Sequence, residues 1–337
     1  MGKNLVSVII PCYNDELYID RSICSVYEQD YDNIELIIVN DGSTDNSEEK
    51  IIKWEKRFLN KGWKFHYISQ QNRGPGGAID TGLKYVSGQY LTLLDADDKY
   101  LQGSISKKAE FLSQNPKVAA VRSNGWIISG ENQWLFVQDE VEKKIVDIFI
   151  PLLLGKTNNW AGSYMVRTDL LFSFYPDRSI YPSRFGQNLQ ILLPVVYSHT
   201  CGFIDIPLME YIKREGSLTS ATNNKLSLQK SLQNAEGYLD IREHLLKQIV
   251  IEQPLQRKLL KLVYAEHYRQ KILIALEYKE KSLLKGCYWK LKEYTIPDLN
   301  DYIAYYQLIC RPISLVLQLV RKIKNIRRVD CIMKLDT

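Results

Sequence analysis

No apolar run of roughly 18 residues, the length that a membrane-spanning helix requires, occurs in the 337-residue chain. Its start, MGKNLVSVIIPCYN, has neither the long apolar region nor the small-residue cleavage site of a signal peptide. Cysteine is sparse: six residues, with no CxxC pair and no histidines at zinc-ligand spacing. They read as free thiols in a reducing compartment, and a cytoplasmic protein is expected. The glycine-rich stretch QQNRGPGGAID lacks the GK[ST] ending of a P-loop and the GxGxxG spacing of a dinucleotide fingerprint. Neither sign of charge dominates, the net charge being +5, and 45% hydrophobic against 25% charged residues describes a chain with a sizeable core. The 22 tyrosines suit half-buried positions, where a ring is covered and its hydroxyl finds a partner.

What is present is an alternation. LVSVIIP and IELIIVND are near-continuous β-forming runs, the pattern of strands covered on both faces, and FHYISQ and QYLTLLD add two more. Between them lie NDELYIDRSICSVYEQ, with apolar Leu17, Ile19, Ile23, Val26 and Tyr27 near helical spacing, then GSTDNSEEKIIKWEKRF and NRGPGGAIDTGLKYV. Alternating strands and helices predict an α/β fold with a mostly parallel central sheet and helices on both faces. Further on, a helix over 107–114, strands in VAAVRSNGWII and QWLFVQ, helical 141–154, and a helix over 183–198 kinked at Pro194 are expected. CGFIDIPLMEYIKREGSLT reads as a strand with an extended tail. After the polar SATNN the pattern becomes long helices near 226–250, 255–282 and 298–328. The division expected is therefore a catalytic domain over 1–220 and a helical C-terminal module over 221–337.

Ligands of such sheets bind beyond the carboxyl ends of the strands, so the polar residues there carry the chemistry. LLDADDKY delivers Asp95, Asp97 and Asp98 into a tight turn, where like charges repel unless a cation or donors offset them. Hard oxygen ligands of this kind suit a divalent cation that bridges two phosphates. In VNDGSTD, Asp41 suits a ring N–H or ribose hydroxyls, whereas Asp45 suits a helix cap. QQNRGPGGAID places Arg73 where it can meet phosphate, and its glycines permit close backbone approach. Trp160 in NNWAGSYM suits a platform beneath a sugar ring as well as it suits core packing.

Taken together, PCYN at 11–14, VNDGSTD at 39–45, NRGPGGAIDTG at 72–82 and LLDADD at 93–98 resemble the inverting family 2 glycosyltransferases of GT-A fold, over roughly residues 5–220. The resemblance implies transfer of a hexose or N-acetylhexosamine from a UDP-sugar, with Mn²⁺ or Mg²⁺ as cofactor. It puts Pro11, Tyr13 and Asp15 near the nucleotide and Asp41 on uracil or ribose. It makes Asp97 the principal metal ligand, and Asp95 approaches ribose or the metal. Tyr211 and Arg214, a YxxR element followed by Ser217, approach the diphosphate or close the site.

One position departs from the family. The general base is expected from a Glu-Asp pair opening a helix, and RFGQNLQILLP offers Gln187 and Asn188 instead. An amide has no useful basicity. Asp169 or Asp177 serves as the base, or the acceptor loses its proton by other means or is itself acidic, or transfer has been lost; Gln187 and Asn188 are expected instead to hydrogen-bond acceptor hydroxyls.

The tail RPISLVLQLVRKIKNIRRVDCIMK mixes apolar and basic residues, as a helix on an anionic lipid surface does, and equally suits packing on its own domain or on a second subunit. No reading helix or stacking strand accompanies the basic run, which argues against nucleic acid. The partners expected are a nucleotide-sugar donor, a glycan or lipid-linked acceptor, the inner face of the cell membrane and a homo-oligomer. The competing reading is a noncatalytic nucleotide-sugar or glycan-binding subunit of a polysaccharide-synthesis system. A nucleotidyltransferase would require an early glycine-rich loop, which PCYN does not supply.

Overall fold

The structure is a computed structural model that describes residues 4–213 and 225–320. Two compact units divide the chain: Met1–Ser220 with Lys247–Ile249, and Ala221–Leu246 with Val250–Thr337.

In the first unit the predicted alternation forms β1 (Val6–Cys12), α1 (Ile19–Tyr27), β2 (Ile34–Asn40), α2 (Ser47–Asn60), β3 (Lys64–Ser69), α3 (Gly74–Leu83) and β4 (Tyr90–Leu93). β1 pairs in parallel with both β2 and β4, in register Val6 with Ile34 and Val6 with Tyr90. Both faces of β1 and β2 are covered, which is why their branched apolar runs are almost unbroken. Ile9 and Ile37 are fully buried; truncating either to alanine would cost roughly 2–5 kcal/mol through the cavity left behind. α2 buries Ile51, Trp54 and Phe58, one stripe at helical spacing.

Beyond β4 come β5 (Lys99–Tyr100), α4 (Ser104–Gln114), β6 (Val118–Ser129), β7 (Asn132–Leu135), α5 (Glu140–Lys144), α6 (Phe149–Leu153), β8 (Tyr164–Arg167), α7 (Thr168–Phe174), α8 (Gln187–Val195) and β9 (Thr200–Ile212). The strand order is β3-β2-β1-β4-β8-β6-β9-β5, with β7 paired to β6. This corrects the mostly parallel sheet read from the sequence. Strands β3, β2, β1 and β4 are parallel, but β8 runs antiparallel to both β4 and β6, and β5 antiparallel to β9. The sheet is therefore mixed. Helical crossovers enforce parallel pairing only where strand and helix alternate, and that alternation stops at β4, after which a hairpin joins β6 to β7. The helix expected over 141–154 is two short helices separated by residues 145–148. Pro194 lies inside α8, near its end.

The second unit contains α9 (Lys225–Gln248) as far as Leu246, α10 (Gln253–Glu277), α11 (Lys281–Tyr294) and α12 (Leu299–Ile309). Its core joins Ile272 and Ala275 of α10 to Leu284, Cys287 and Leu291 of α11. A single helix over 255–282 was expected, but Lys279 turns left-handed, at φ 59°, and ends α10. α12 opens on a capping box at Asp298, and Arg269 grips Asp301 through two 2.9 Å bonds. The expected 298–328 helix breaks at Cys310, ahead of Pro312, and resumes over 311–320. The basic run at 321–328 lies outside the described residues, as do Arg214 and Ser217. Among the described residues no helix is long and apolar enough to cross a membrane, and Cys12, Cys24, Cys201, Cys287 and Cys310 are free thiols.

Candidate active site

The acidic turn lies at the carboxyl edge of the parallel strands. Leu94 still donates to Ile9 O along β1, and the chain then reverses through Asp95–Asp98, closed by a 3.1 Å bond from Asp98 N–H to Asp95 O. Asp95 and Asp97 are half-buried, whereas Asp98 is only 1% exposed. Burial first, then the charges of Asp95 and Asp97, push the Asp98 carboxyl well above the usual range. Asp98 Oδ1 accepts from Ile212 N–H at 3.1 Å and so ties the end of β9 to the turn. From α1, Arg21 donates to Asp97 O and Ser22 to Asp95 O.

Among the described residues no three His, Cys, Asp or Glu side chains gather as a metal cage. The donor set nevertheless fits a cation shared with a substrate. Such ions take one or two carboxylates and complete their shell with water and phosphate oxygens. Half-exposed Asp95 and Asp97, each a hard oxygen donor, meet that requirement.

The loops after β1 and β2 are laced together beside this turn. Asn14, left-handed at φ 55°, accepts from Thr44 N–H at 2.7 Å, and its own N–H donates to Ser43 Oγ. Asp15 N–H donates to Ser47 Oγ, Glu16 N–H to Asp45, and Asn46 N–H to Glu16. Asp45 also accepts from Ser47 N–H, the capping role read from the sequence. Burial alone would raise the Asp45 carboxyl, but the Ser47 hydroxyl and these amides hold it below the usual value. Asp15 is buried, Pro11 half-buried, and Tyr13 stands 49% exposed at the edge.

Asp41 is engaged within the protein itself. Its buried carboxylate accepts from Gln70 Nε2 at 2.6 Å, Arg73 N–H at 2.9 Å and Gly74 N–H at 2.8 Å, capping the start of α3. A carboxylate has about four acceptor positions, which leaves room for one further donor. The guanidinium of Arg73 turns back towards Asp80 and Thr81, at 3.4 Å from each.

The glycines of GPGG admit protein rather than only ligand. A Cβ on Gly76 would lie 2.2 Å from Ser183 O, and one on Gly74 would lie 2.8 Å from Arg184 Cγ. Residues 179–186 run along α3, and buried Asp80 secures them through Ser179 Oγ at 2.6 Å and Ile180 N–H at 3.0 Å. They deliver Gly186, the left-handed cap of α8, and then Gln187 and Asn188. The first turn of α8 contains no acidic residue.

Asn188 Oδ1 accepts from Tyr164 Oη at 3.0 Å. Tyr164 is wholly buried on β8 next to β4, and burial followed by the charge of Asp95 raises its hydroxyl. Tyr164 therefore links the α8 start to the acidic turn. Nearby, Trp160 stacks on Tyr211 at 5.0 Å and 28°, with Phe136 edge-on to Trp160 at 4.2 Å. Tyr211 precedes Ile212, the residue bonded to Asp98.

Asp95, Asp97, Trp160, Asn188 and Tyr211 are thus brought to one edge; Asp169 and Asp177 are not. Thr168 N–H bonds Gln89 O, so Asp169 opens α7 about six positions from Asp95, roughly 20 Å at the rise of a strand. Asp177 is exposed beside Arg178, which donates to Val86 O at the far end of α3. Tyr164, Arg21 and Asp80 escaped the sequence reading. Their roles come from strand adjacency and from contacts across many residues, and only the closeness of Tyr164 to Trp160 offered a hint. A groove of about 570 Å³ also lies along the outer edge of β3, between Ile52, Tyr67 and Tyr85, apart from the acidic turn.

Comparison with known proteins bears on the family and the fold. Residues 7–173 match the family described as Glycosyl transferase family 2. An uncharacterized glycosyltransferase of Haemophilus influenzae is 39% identical over 118 residues, which are 34% of this chain and 45% of that protein. The match thus spans under half the length of that relative. TarS of S. aureus superposes with TM-score 0.59 at 16% identity, covering 90% of each chain. The mannosyltransferase PcManGT of Pyrobaculum calidifontis gives 0.54 at 14%, covering 97% of this chain and 88% of its own. Through residues 7–173, with their ordered strand-end motifs and α/β GT-A fold, the chain belongs to glycosyl transferase family 2.

Proposed function

We propose that the protein transfers a hexose or N-acetylhexosamine from a UDP-sugar to a glycan or lipid-linked acceptor, with inversion, in a divalent-cation-dependent reaction. The observation that carries this reading is the convergence of half-exposed Asp95 and Asp97 with the laced loops of β1 and β2 and the Trp160–Tyr211 stack at one sheet edge. TarS has been solved with UDP-GlcNAc, and PcManGT with GDP-Man and Mn²⁺; both favour a nucleotide-sugar donor here. Asp95 and Asp97 would hold Mn²⁺ or Mg²⁺, which when bound neutralises charge on the leaving diphosphate. Tyr13, Asp15 and the remaining acceptor position of Asp41 would hold the nucleoside, with Pro11 shaping the edge beneath it. Arg73 and Arg214 would meet the diphosphate, Arg73 by releasing Asp80. Trp160 and Tyr211 would lie beneath an acceptor sugar, while Gln187 and Asn188 would bond its hydroxyls.

In this reading residues 1–220 form the catalytic domain and 221–337 a helical module. Ile313, Leu315, Val316, Leu319 and Val320 are exposed on the 311–320 helix, immediately before the basic RKIKNIRR sequence. Both features favour the inner face of the cell membrane as the place of work; pairing with a second copy would cover the same face.

The test is release of nucleoside diphosphate from a panel of UDP-, GDP- and dTDP-sugars with Mn²⁺ and a membrane lipid extract as acceptor. Turnover with a UDP-sugar is expected, falling roughly a hundredfold or more in Asp97→Ala. Turnover that survives this change unaltered would sink the assignment of the metal site.

The amides at the start of α8 favour a second reading, a donor-binding subunit that does not transfer. Asn188→Asp separates the two. A carboxylate there still accepts from Tyr164 and adds a base, so a silent wild-type chain that turns over once substituted would establish the second reading.

A further inference from the structure

The loop over 157–163, which carries Trp160 into β8, is held by two buried cations. Arg122, fully buried on β6, donates to Thr157 Oγ1 and to Asn158 O. Lys108 on α4 is 1% exposed, and its Nζ donates to Gly162 O at 2.7 Å and to Ser104 Oγ at 2.8 Å. The Tyr100 ring lies 5.2 Å from the same nitrogen. Backbone bonds complete the anchorage: Ser123 N–H to Ser163 O at 2.7 Å, and Gly162 N–H to Leu93 O at the end of β4.

Lys108 makes no carboxylate ion pair among the described residues, and burial lowers its ammonium to about 7. An amine in such a place costs stability that an apolar side chain of equal volume would not. What the amine supplies and a hydrocarbon lacks is a donor fixing one carbonyl. That carbonyl lies two residues beyond Trp160, in the turn closed by Ser163 N–H to Trp160 O at 3.1 Å. On the opposite side Tyr211 is secured through its neighbour Ile212, which bonds Asp98. Two separately anchored segments therefore meet as a parallel pair of rings.

We propose that Lys108 is a positioning residue of the acceptor side, fixing Gly162 so that Trp160 lies flat against Tyr211 as a rigid platform for an acceptor sugar ring. The proposal rests on the transferase reading above for the identity of the occupant, but not for the anchorage itself. Lys108 makes no hydrogen bond to the acidic turn or to the loops assigned to the nucleotide, so its removal is expected to act on the acceptor before the donor.

Lys108→Met keeps length and volume and removes the donor. Three quantities are compared with wild type: UDP affinity in Mn²⁺ by calorimetry, the lipid-extract concentration giving half-maximal turnover, and acrylamide quenching of Trp160, isolated by subtracting the matching Trp160→Phe protein. UDP affinity is expected to hold within about twofold, while half-saturation rises about tenfold and Trp160 becomes more quenchable. Lys108→Gln, with a donor on a shorter arm, is expected to fall between, and it serves alone where Lys108→Met does not fold. Unchanged quenching, or UDP affinity falling in parallel with acceptor saturation, overturns the proposal. Increased quenching in a protein that binds UDP but never turns over upholds the positioning role and rejects the transferase reading.

Discussion

The loops proposed to hold the nucleotide and the loop proposed to meet the acceptor lie at the same sheet edge but are built by different means. After β1 and β2, polar residues within a few positions of a strand end bond each other's backbone: Asn14 with Ser43 and Thr44, Glu16 with Asp45 and Asn46. The acceptor side is assembled from residues on unlike elements, Tyr164 of β8 with Asn188 of α8, Trp160 of the 157–163 loop with Tyr211 of β9, and Lys108 of α4 with Gly162 of that loop. Bonds between small polar residues just past the ends of two neighbouring parallel strands, 29 or 30 residues apart, yield compact motifs. Packing between unlike elements yields positions whose purpose depends on what the fold brings beside them.

The comparison can be broken most forcefully at Asp41. Its carboxylate satisfies two backbone N–H groups and Gln70 while buried, so Asp41→Ala leaves donors unpaired at the start of α3. A loss of about 3 kcal/mol in urea unfolding is expected, together with loss of UDP binding. If stability is unchanged and UDP binding alone fails, Asp41 is a ligand residue first and a cap second. The nucleotide side would then be less self-supporting than its bonding pattern implies.

A smaller effect tests the acceptor side through pH. Lys108 titrates near 7 when folded, against about 10.5 for an exposed lysine. Between these values the unfolded chain binds a proton that the folded chain does not, so this residue makes stability rise with pH. Below 7 both states are protonated and its contribution is flat. The difference in unfolding free energy between wild type and Lys108→Met should therefore shift in favour of wild type from pH 7 to 9, by at most ~1.4 kcal/mol per pH unit. A pH-independent difference would mean that water reaches the amine and the loop is less firmly held than the acceptor reading requires.

The same contrast explains what was legible beforehand. The strands β1, β2 and β4 and the acidic turn could be read because a doubly covered strand must be apolar throughout and its polar end residues announce the edge, whereas the edge strand β3 was legible only from its β-forming residues. β5, two residues long, carries too little pattern to register. The mixed pairing around β8 was hidden because pairing direction depends on connections, and the alternation that sets it ends at β4. Asp169 and Asp177 were carried forward as carboxylates in want of a role. Distance along the sheet then separated Asp169 from the site, and exposure beside Val86 did so for Asp177. Lys108 carries no signal in the sequence, because a single lysine among Ser104, Lys107 and Glu110 gives no sign that its side chain points inward.

Gly76 stands where the two halves touch, and it offers the finest test of the division. It belongs by sequence to the nucleotide-side motif, yet the space its missing side chain leaves is filled by Ser183 O, in the segment leading to Asn188. A methyl group at 2.2 Å from that oxygen forces the segment outward, while Asp41 still accepts from the Arg73 and Gly74 N–H groups at the start of α3. Gly76→Ala is accordingly expected to raise acceptor half-saturation about fivefold, near 1 kcal/mol, with UDP affinity nearly unchanged. If UDP affinity weakens instead, the glycines serve the diphosphate directly and α3 belongs wholly to the donor. If acceptor saturation alone moves, one motif serves two substrates, its polar residues facing the nucleotide loops and its glycines admitting the chain that leads to the acceptor.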